Sequence, residues 1–336
     1  MLKLEKYKLF KRKMVLVLMT GIFLIVLLQE VRAFHVHECQ QKQVEISEKH
    51  KGIFTDSRFD GYWKEFSQVY HNDALILKPY FFDGDRQKTV KELFPNASFD
   101  IYFGSYNNWG ELFYTMTGDL KCIPIFIVLV FSGIFSYENE CGMQEILLST
   151  RNGRKRCSKA KLKLAFIVTN IFYFVVILIP ITDMLVMTRG SGWKTSIQVN
   201  IWLSSCSNNI NNLGVLVHTL FLSFLSINMV VLITLLISFL SKSPVISMCV
   251  SLGILYVLRQ DIIYGLSGGG LANYIVSLTP VNVLDVEYLI HLNTVRLFGF
   301  TVQWLYIVEV VYVIVLAVLA VVFYKTMSKN QRYYAA

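Results

Sequence analysis

Asp183, His218, Asn228, Arg259, Asp261 and Glu309 are polar or ionisable residues set within or at the ends of long apolar runs. A charge at mid-bilayer costs about 2.5–3.5 kcal/mol on insertion scales, so such residues persist by pairing, by reaching water or by lining a pathway. At about 1.5 Å per residue, Arg259 lies roughly 9 Å inside one run and Glu309 roughly 12 Å inside another. An Arg259–Glu309 ion pair joining two helices is therefore one expectation, and separate access of each to outer-leaflet water is the other. Asp183, three residues after Pro180, is expected to end a helix near the outer interface.

Other chemistry is sparse. The six cysteines, Cys39, Cys122, Cys141, Cys157, Cys206 and Cys249, include no C-x-x-C pair and no histidine at zinc spacing, so no metal site is expected. A Cys39–Cys122 bridge is open if the polar segment between them is extracellular; unpaired thiols are the alternative. No G-x-x-x-x-G-K-[ST] loop occurs, and the nearest approach, Gly190-Ser191-Gly192-Trp193-Lys194-Thr195, has the wrong spacing. H-E-x-x-H and G-x-S-x-G are absent, as is a pair of embedded aspartates on successive helices. The chain is not expected to be an enzyme or to hold a cofactor of its own. Few embedded charges and no internal repeat also argue against a channel or secondary transporter.

The elements that must position these residues follow from composition. Of 336 residues, 54% are hydrophobic and 16% charged, and the mean hydropathy is +0.49, values that point to an integral membrane protein. The net charge, 32 − 23 = +9, fits cytoplasmic loops against anionic lipid rather than nucleic acid. The expected fold class is mainly α: a polytopic membrane protein with six transmembrane helices and a small extracytoplasmic α+β domain between helices 1 and 2. In this division, residues 1–28 form a basic leader and the first span, and 29–121 the outer domain. Spans follow at 122–137, 164–187, 214–240, 245–265 and 301–324. Residues 138–163 form a cytoplasmic loop, 188–213 an outer loop, 266–300 an outer re-entrant or interfacial segment and 325–336 a cytoplasmic tail. Lysines and arginines crowd the leader, the 138–163 loop and the tail, which places both termini in the cytoplasm of a cell membrane. A cleaved signal peptide ending near Val31-Arg32-Ala33 is the rival reading of the first span; Gln29, Glu30 and Arg32 make a poor cleavage region.

In the outer segment, Phe59, Tyr62, Trp63, Phe66, Val69 and Tyr70 repeat as one aromatic helix face, best explained as the core of a small domain. Phe99, Ile101 and Phe103 alternate as a strand, and Asp83-Gly84-Asp85 reads as a turn with too few carboxylates for calcium. Asn96-Ala97-Ser98 fits the glycosylation pattern.

The stretch from Phe131 to Thr150 leaves the membrane at a Glu cluster. It continues as an amphipathic segment with Met143, Ile146, Leu147 and Thr150 at helical spacing, then Asn152-Gly153 and Arg154-Lys155-Arg156. Read physically, it is an interfacial loop anchored by headgroups or a docking helix for a soluble partner. Phe135, Ser136, Glu138 or Glu140, Gly142, Leu147, Leu148, Ser149, Thr150, Gly153, Arg154 and Lys161 resemble the corresponding segment of the membrane subunits of type-2 ATP-binding-cassette transporters. The six-helix layout, the outer domain and Leu278-Thr279-Pro280-Val281-Asn282 before the last helix are similar to that family as well. The resemblance implies a coupling loop, with Glu138, Glu140, Gly142, Met143, Glu145, Leu147, Leu148 and Arg154 against a separate ATPase subunit. It also implies ATP and Mg in that partner, a second permease chain, identical or related, and bacterial export of a peptide, antibiotic or other amphipathic cargo. A membrane sensor with a ligand-binding outer domain and no transport would use the same domain and loop.

Overall fold

Backbone amides within long apolar runs have only one another to bond, and the chain answers with helices. The computed structural model describes residues 2–11, 13–35, 103–142, 153–188, 192–194, 197, 210–257, 271–285, 294–297 and 300–332. The described elements in chain order are α1 (Leu2–Lys11), α2 (Lys13–His35), α3 (Phe103–Phe131), α4 (Gly133–Glu140), α5 (Gly153–Thr188), α6 (Asn212–Leu240) and α7 (Pro244–Tyr256). After these come α8 (Leu271–Ser277), a 3-10 turn at Asn282–Leu284, the hairpin strands β1 (Thr294–Leu297) and β2 (Phe300–Gln303), and α9 (Trp304–Arg332).

Four stretches are long and apolar enough to cross a membrane: Leu112–Glu140, Arg156–Val186, Asn212–Leu240 and Trp304–Thr326. Val17–Leu28 and Pro244–Tyr256 are shorter apolar helices. Six spans were expected; among the described residues four reach full length. Helix α7 ends at Tyr256 rather than 265, and residues 258–270, with Arg259 and Asp261, lie outside the described set.

Several boundaries differ from the sequence expectation, each for a local reason. Helix α3 begins at Phe103, so the boundary expected at 121 falls inside a helix and Phe103 is helical rather than part of a strand. The run Leu112, Met116, Asp119, Ile123, Phe126 and Val130 recurs at steps of four and three and is buried throughout, one continuous helical face. Helix α5 likewise begins at Gly153, inside the expected loop, and continues past Asp183 to Thr188, so Asp183 does not end it. The stretch Phe300–Gln303 pairs with Thr294–Leu297 in antiparallel register, Thr294 opposite Gln303, and the last helix starts at Trp304 rather than 301. Thr301 and Val302 are β-branched and suit that strand. Helix α2 runs to His35, past the expected 28. The aromatic face at 59–70, Asp83-Gly84-Asp85 and Asn96-Ala97-Ser98 lie outside the described residues.

The core forms where α3 packs against α5 and α6; Phe126 stacks on Phe172 at 4.3 Å between centroids. Helix α6 is capped by the Asn211 side chain, which accepts from the Gly214 amide at 2.7 Å. Gly214 is required there, since a Cβ would fall 2.6 Å from the Ile210 side chain. Ser241–Ser243 turn the chain, and Pro244 opens α7 where its missing N–H has no helical partner to lose. Helix α9 shows Val310, Val313, Ile314, Val318 and Val321 on its surface, an outward apolar face suited to lipid or another chain.

Candidate functional site: the helix ends at Glu138 and Lys161

Helix α3 stops at Phe131 and restarts as α4 at Gly133, and this break leaves amides that need acceptors. Ser238 Oγ of α6 accepts from the Phe135 amide at 3.1 Å and the Ser136 amide at 3.3 Å. Ser136 Oγ donates back to the Ser132 carbonyl at 2.8 Å. At the far end of α4, Asn139 Nδ2 donates to the Ser241 carbonyl at 2.9 Å. The short exit helix is thereby tied along its length to the end of α6.

Its other tie is to α5. Lys161 is only 1% exposed, and its ammonium lies 2.5 Å from Glu138 Oε2 and donates to the Ile134 carbonyl at 2.7 Å. The same nitrogen sits 4.9 Å from the centre of the Phe135 ring, a cation–π contact. A buried ammonium persists only with such a set of partners. Of the two glutamates that suit the expected motif position, Glu138 takes the buried ion pair and Glu140 is exposed. Gly142 follows at φ 65, a left-handed conformation that glycine adopts without strain. Met143, Glu145, Leu147 and Leu148 lie outside the described residues, and Arg154 falls in the first turn of α5.

Helix α1 closes the cluster. Glu5 is buried, and the Cys157 thiol donates to its Oε1 at 3.9 Å. Glu5, Glu138 and Cys157 each bring one ligand atom within 4.8 Å of the others. The Lys161 ammonium already supplies positive charge to that carboxylate set, so a metal would have to displace it. The sequence places Lys161 among the basic residues of the 138–163 loop and in the motif that carries the resemblance; the signal for its burial is position, since it shares a helical face with the apolar Leu164, Ala165 and Val168.

A second concentration of polar groups lies towards the opposite helix ends. Glu309 meets His218, Oε1 to Nδ1 at 2.5 Å, with Tyr306 edge-on to the imidazole at 5.4 Å. Arg259, the expected partner of Glu309, lies outside the described residues. Asn228 faces Asn170 of α5 rather than open space: each amide donates to the other, at 3.1 and 3.3 Å, and each also donates to the carbonyl four residues back. Tyr173 bonds the Leu220 carbonyl and the Ser223 hydroxyl.

The segment 271–285 reaches deep into the helices. Ser226, about 21 Å along α6 from Asn212, donates to the Pro280 carbonyl. Tyr312 donates to the Leu278 carbonyl at 2.9 Å, and Trp304 Nε1 to Ser277 Oγ at 2.8 Å. Lys121 and Asp285 pair at 2.7 Å where the segment ends. These polar fastenings leave Val281, Val283 and Leu284 buried against α6, which a loop lying on the surface would not do. Cys122 is a free thiol within α3, and Cys39 lies outside the described residues.

Comparison with protein-family models, with curated protein sequences and with solved structures found no match.

Proposed function

We propose that this chain is the membrane-spanning permease subunit of an ATP-driven transporter of the type-2 ATP-binding-cassette class, an exporter of a peptide, antibiotic or other amphipathic cargo. In this reading six helices cross a bacterial cell membrane with both termini cytoplasmic and an α+β domain outside. ATP and Mg bind a separate ATPase subunit, and a second permease chain completes the pathway. The observation that carries the reading is the Glu138–Lys161 clamp with its Ser238 tie. It locks together the ends of α4, α5 and α6 on either side of residues 143–152, where the resemblance puts the docking segment. A push on that segment would be delivered to three helices at once, since packed helices transmit displacement rather than absorb it. Two further polar pairs join α5 to α6, Asn170 to Asn228 and Tyr173 to Ser223, and support movement of these two helices as a body.

The test is co-purification of the tagged full chain from its native membrane, with mass spectrometry of what accompanies it, for wild type and for Glu145→Arg with Leu148→Asp. An ATPase subunit present with wild type and lost from the variant is the expected result. Its absence from wild type under several mild detergents would remove the energy source and favour a sensor that recruits a signalling partner through the same loop.

A further inference from the structure

Asp119 is 1% exposed in the buried face of α3, and among the described residues neither carboxylate oxygen has a hydrogen-bond partner. It stands between Met116 and Ile123 in a stripe that is otherwise wholly apolar. A buried carboxylate without donors is among the least tolerable groups in a protein interior, and in a membrane span it marks a functional site by default.

A second feature supplies oxygen ligands beside it. Pro124, five residues on, has no N–H to give the Leu120 carbonyl, and Pro180 in α5 has none to give the Val176 carbonyl. The Phe126–Phe172 stack sets the register of these antiparallel helices. Seven residues from Phe126 is Asp119, and seven from Phe172 in the opposite direction is Ile179, so the turn holding Asp119 and Leu120 stands level with the turn from Val176 to Pro180. Each of the two helices thus carries a carbonyl released by a proline, and the orphan carboxylate lies on the α3 face that carries Phe126 against α5.

The charged and titratable groups on the surrounding elements are engaged elsewhere. Lys121 pairs with Asp285, and His218 with Glu309; Tyr173 bonds Leu220 and Ser223, and Tyr256 donates to the Lys121 carbonyl at 3.4 Å. Cys122 gives its thiol hydrogen to the Gly118 carbonyl, and Asp183 has contacts of its own. None of the cations present in these pairs reaches Asp119.

We propose that Asp119, with the carbonyls of Leu120 and Val176, forms a binding site for a small monovalent metal cation between α3 and α5. Sodium fits the donor set, all hard oxygen with a single formal negative charge that one monovalent ion neutralises. Divalent ions would leave uncompensated charge in a dry interior. The ion would cross-link α3 to α5 some 28 Å along the helix from Glu138, at the end remote from the clamp, at about 1.5 Å per residue. The site is independent of what drives the proposed transporter.

The experiment is thermal unfolding of the full chain in lipid nanodiscs, followed by tryptophan fluorescence. Sodium chloride is titrated against choline chloride at constant ionic strength and constant pH, for wild type, Asp119→Asn and Pro180→Ala. Wild type should show a saturable rise in midpoint with sodium, as expected when a ligand binds only the folded state. Asp119→Asn should abolish it, and Pro180→Ala, which returns a donor to the Val176 carbonyl, should weaken the apparent affinity roughly tenfold. A wild-type midpoint indifferent to sodium would overturn the proposal, since a proton rather than a metal ion would then neutralise the carboxylate. Equal sodium dependence in wild type and Asp119→Asn would overturn it too. If the Asn variant does not fold, the Pro180→Ala titration decides, and an unchanged affinity there counts against the site.

Discussion

Lys161 illustrates how little a side chain's type says about its energetic role. It stands among Arg154, Lys155, Arg156, Lys159 and Lys163, yet it alone of the described ones is buried and satisfied by a carboxylate, a carbonyl and an aromatic face. Replacing it with Met leaves Glu138 without its cation in a largely enclosed site, and a loss of about 3 kcal/mol is expected. Unfolding in mixed micelles would measure this, and Lys161→Met combined with Glu138→Gln should recover a substantial part, because the uncompensated charge is then gone. The Asn170–Asn228 pair behaves differently, being neutral. Its coupling energy in a double-mutant cycle should lie at about 0.6–1.7 kcal/mol, the range for polar contacts between membrane helices. Glu138 and Asn228 were both legible as residues of interest from their positions. Their partners were not, because Lys161 and Asn170 lie 23 and 58 residues away and only helix packing brings them close.

At the scale of elements, the long α6 was legible because an apolar run between Asn211 and the Ser241–Pro244 turn has both a cap and a stop. The α3/α4 break was not legible. Neither proline lies at it, and Ser132-Gly133 is an ordinary pair in sequence until Ser238 is placed opposite to receive the released amides. Ser238→Ala therefore removes the acceptor for two buried donors. It should destabilise the packing by about 2 kcal/mol and selectively accelerate hydrogen exchange at Phe135 and Ser136. Exchange unchanged at both amides would mean that Asn139 and Lys161, rather than Ser238, hold the exit helix. In sequence, residues 266–300 read as a re-entrant or interfacial segment, and the Ser226 and Tyr312 hydroxyls draw its 271–285 part inward.

For the whole molecule, the joined ends of α1, α4, α5, α6 and α7 carry Lys3, Lys6, Arg156, Lys159, Lys163 and Lys242. In the proposed orientation this end faces the cytoplasm, by the preference of short basic loops for that side. A variant keeping only Cys141, which is exposed just beyond α4, should react with an impermeant maleimide in inverted membrane vesicles and stay unreacted in right-side-out ones. The reverse pattern would invert the topology and place the Glu138–Lys161 clamp outside the cell, beyond reach of any ATPase.

Composition and periodicity by themselves determined that the chain is mostly helical and placed four of the six expected spans on helices long and apolar enough to cross a membrane, because both follow from local backbone bonding and side-chain transfer. Only the tertiary structure decided the partners of the polar residues: Lys161 for Glu138, His218 for Glu309, Asn170 for Asn228, and none among the described residues for Asp119. Those assignments depend on the relative rotation and register of helices far apart in sequence. A shift of one residue turns a side chain by about 100° around its helix and exchanges a partner for lipid.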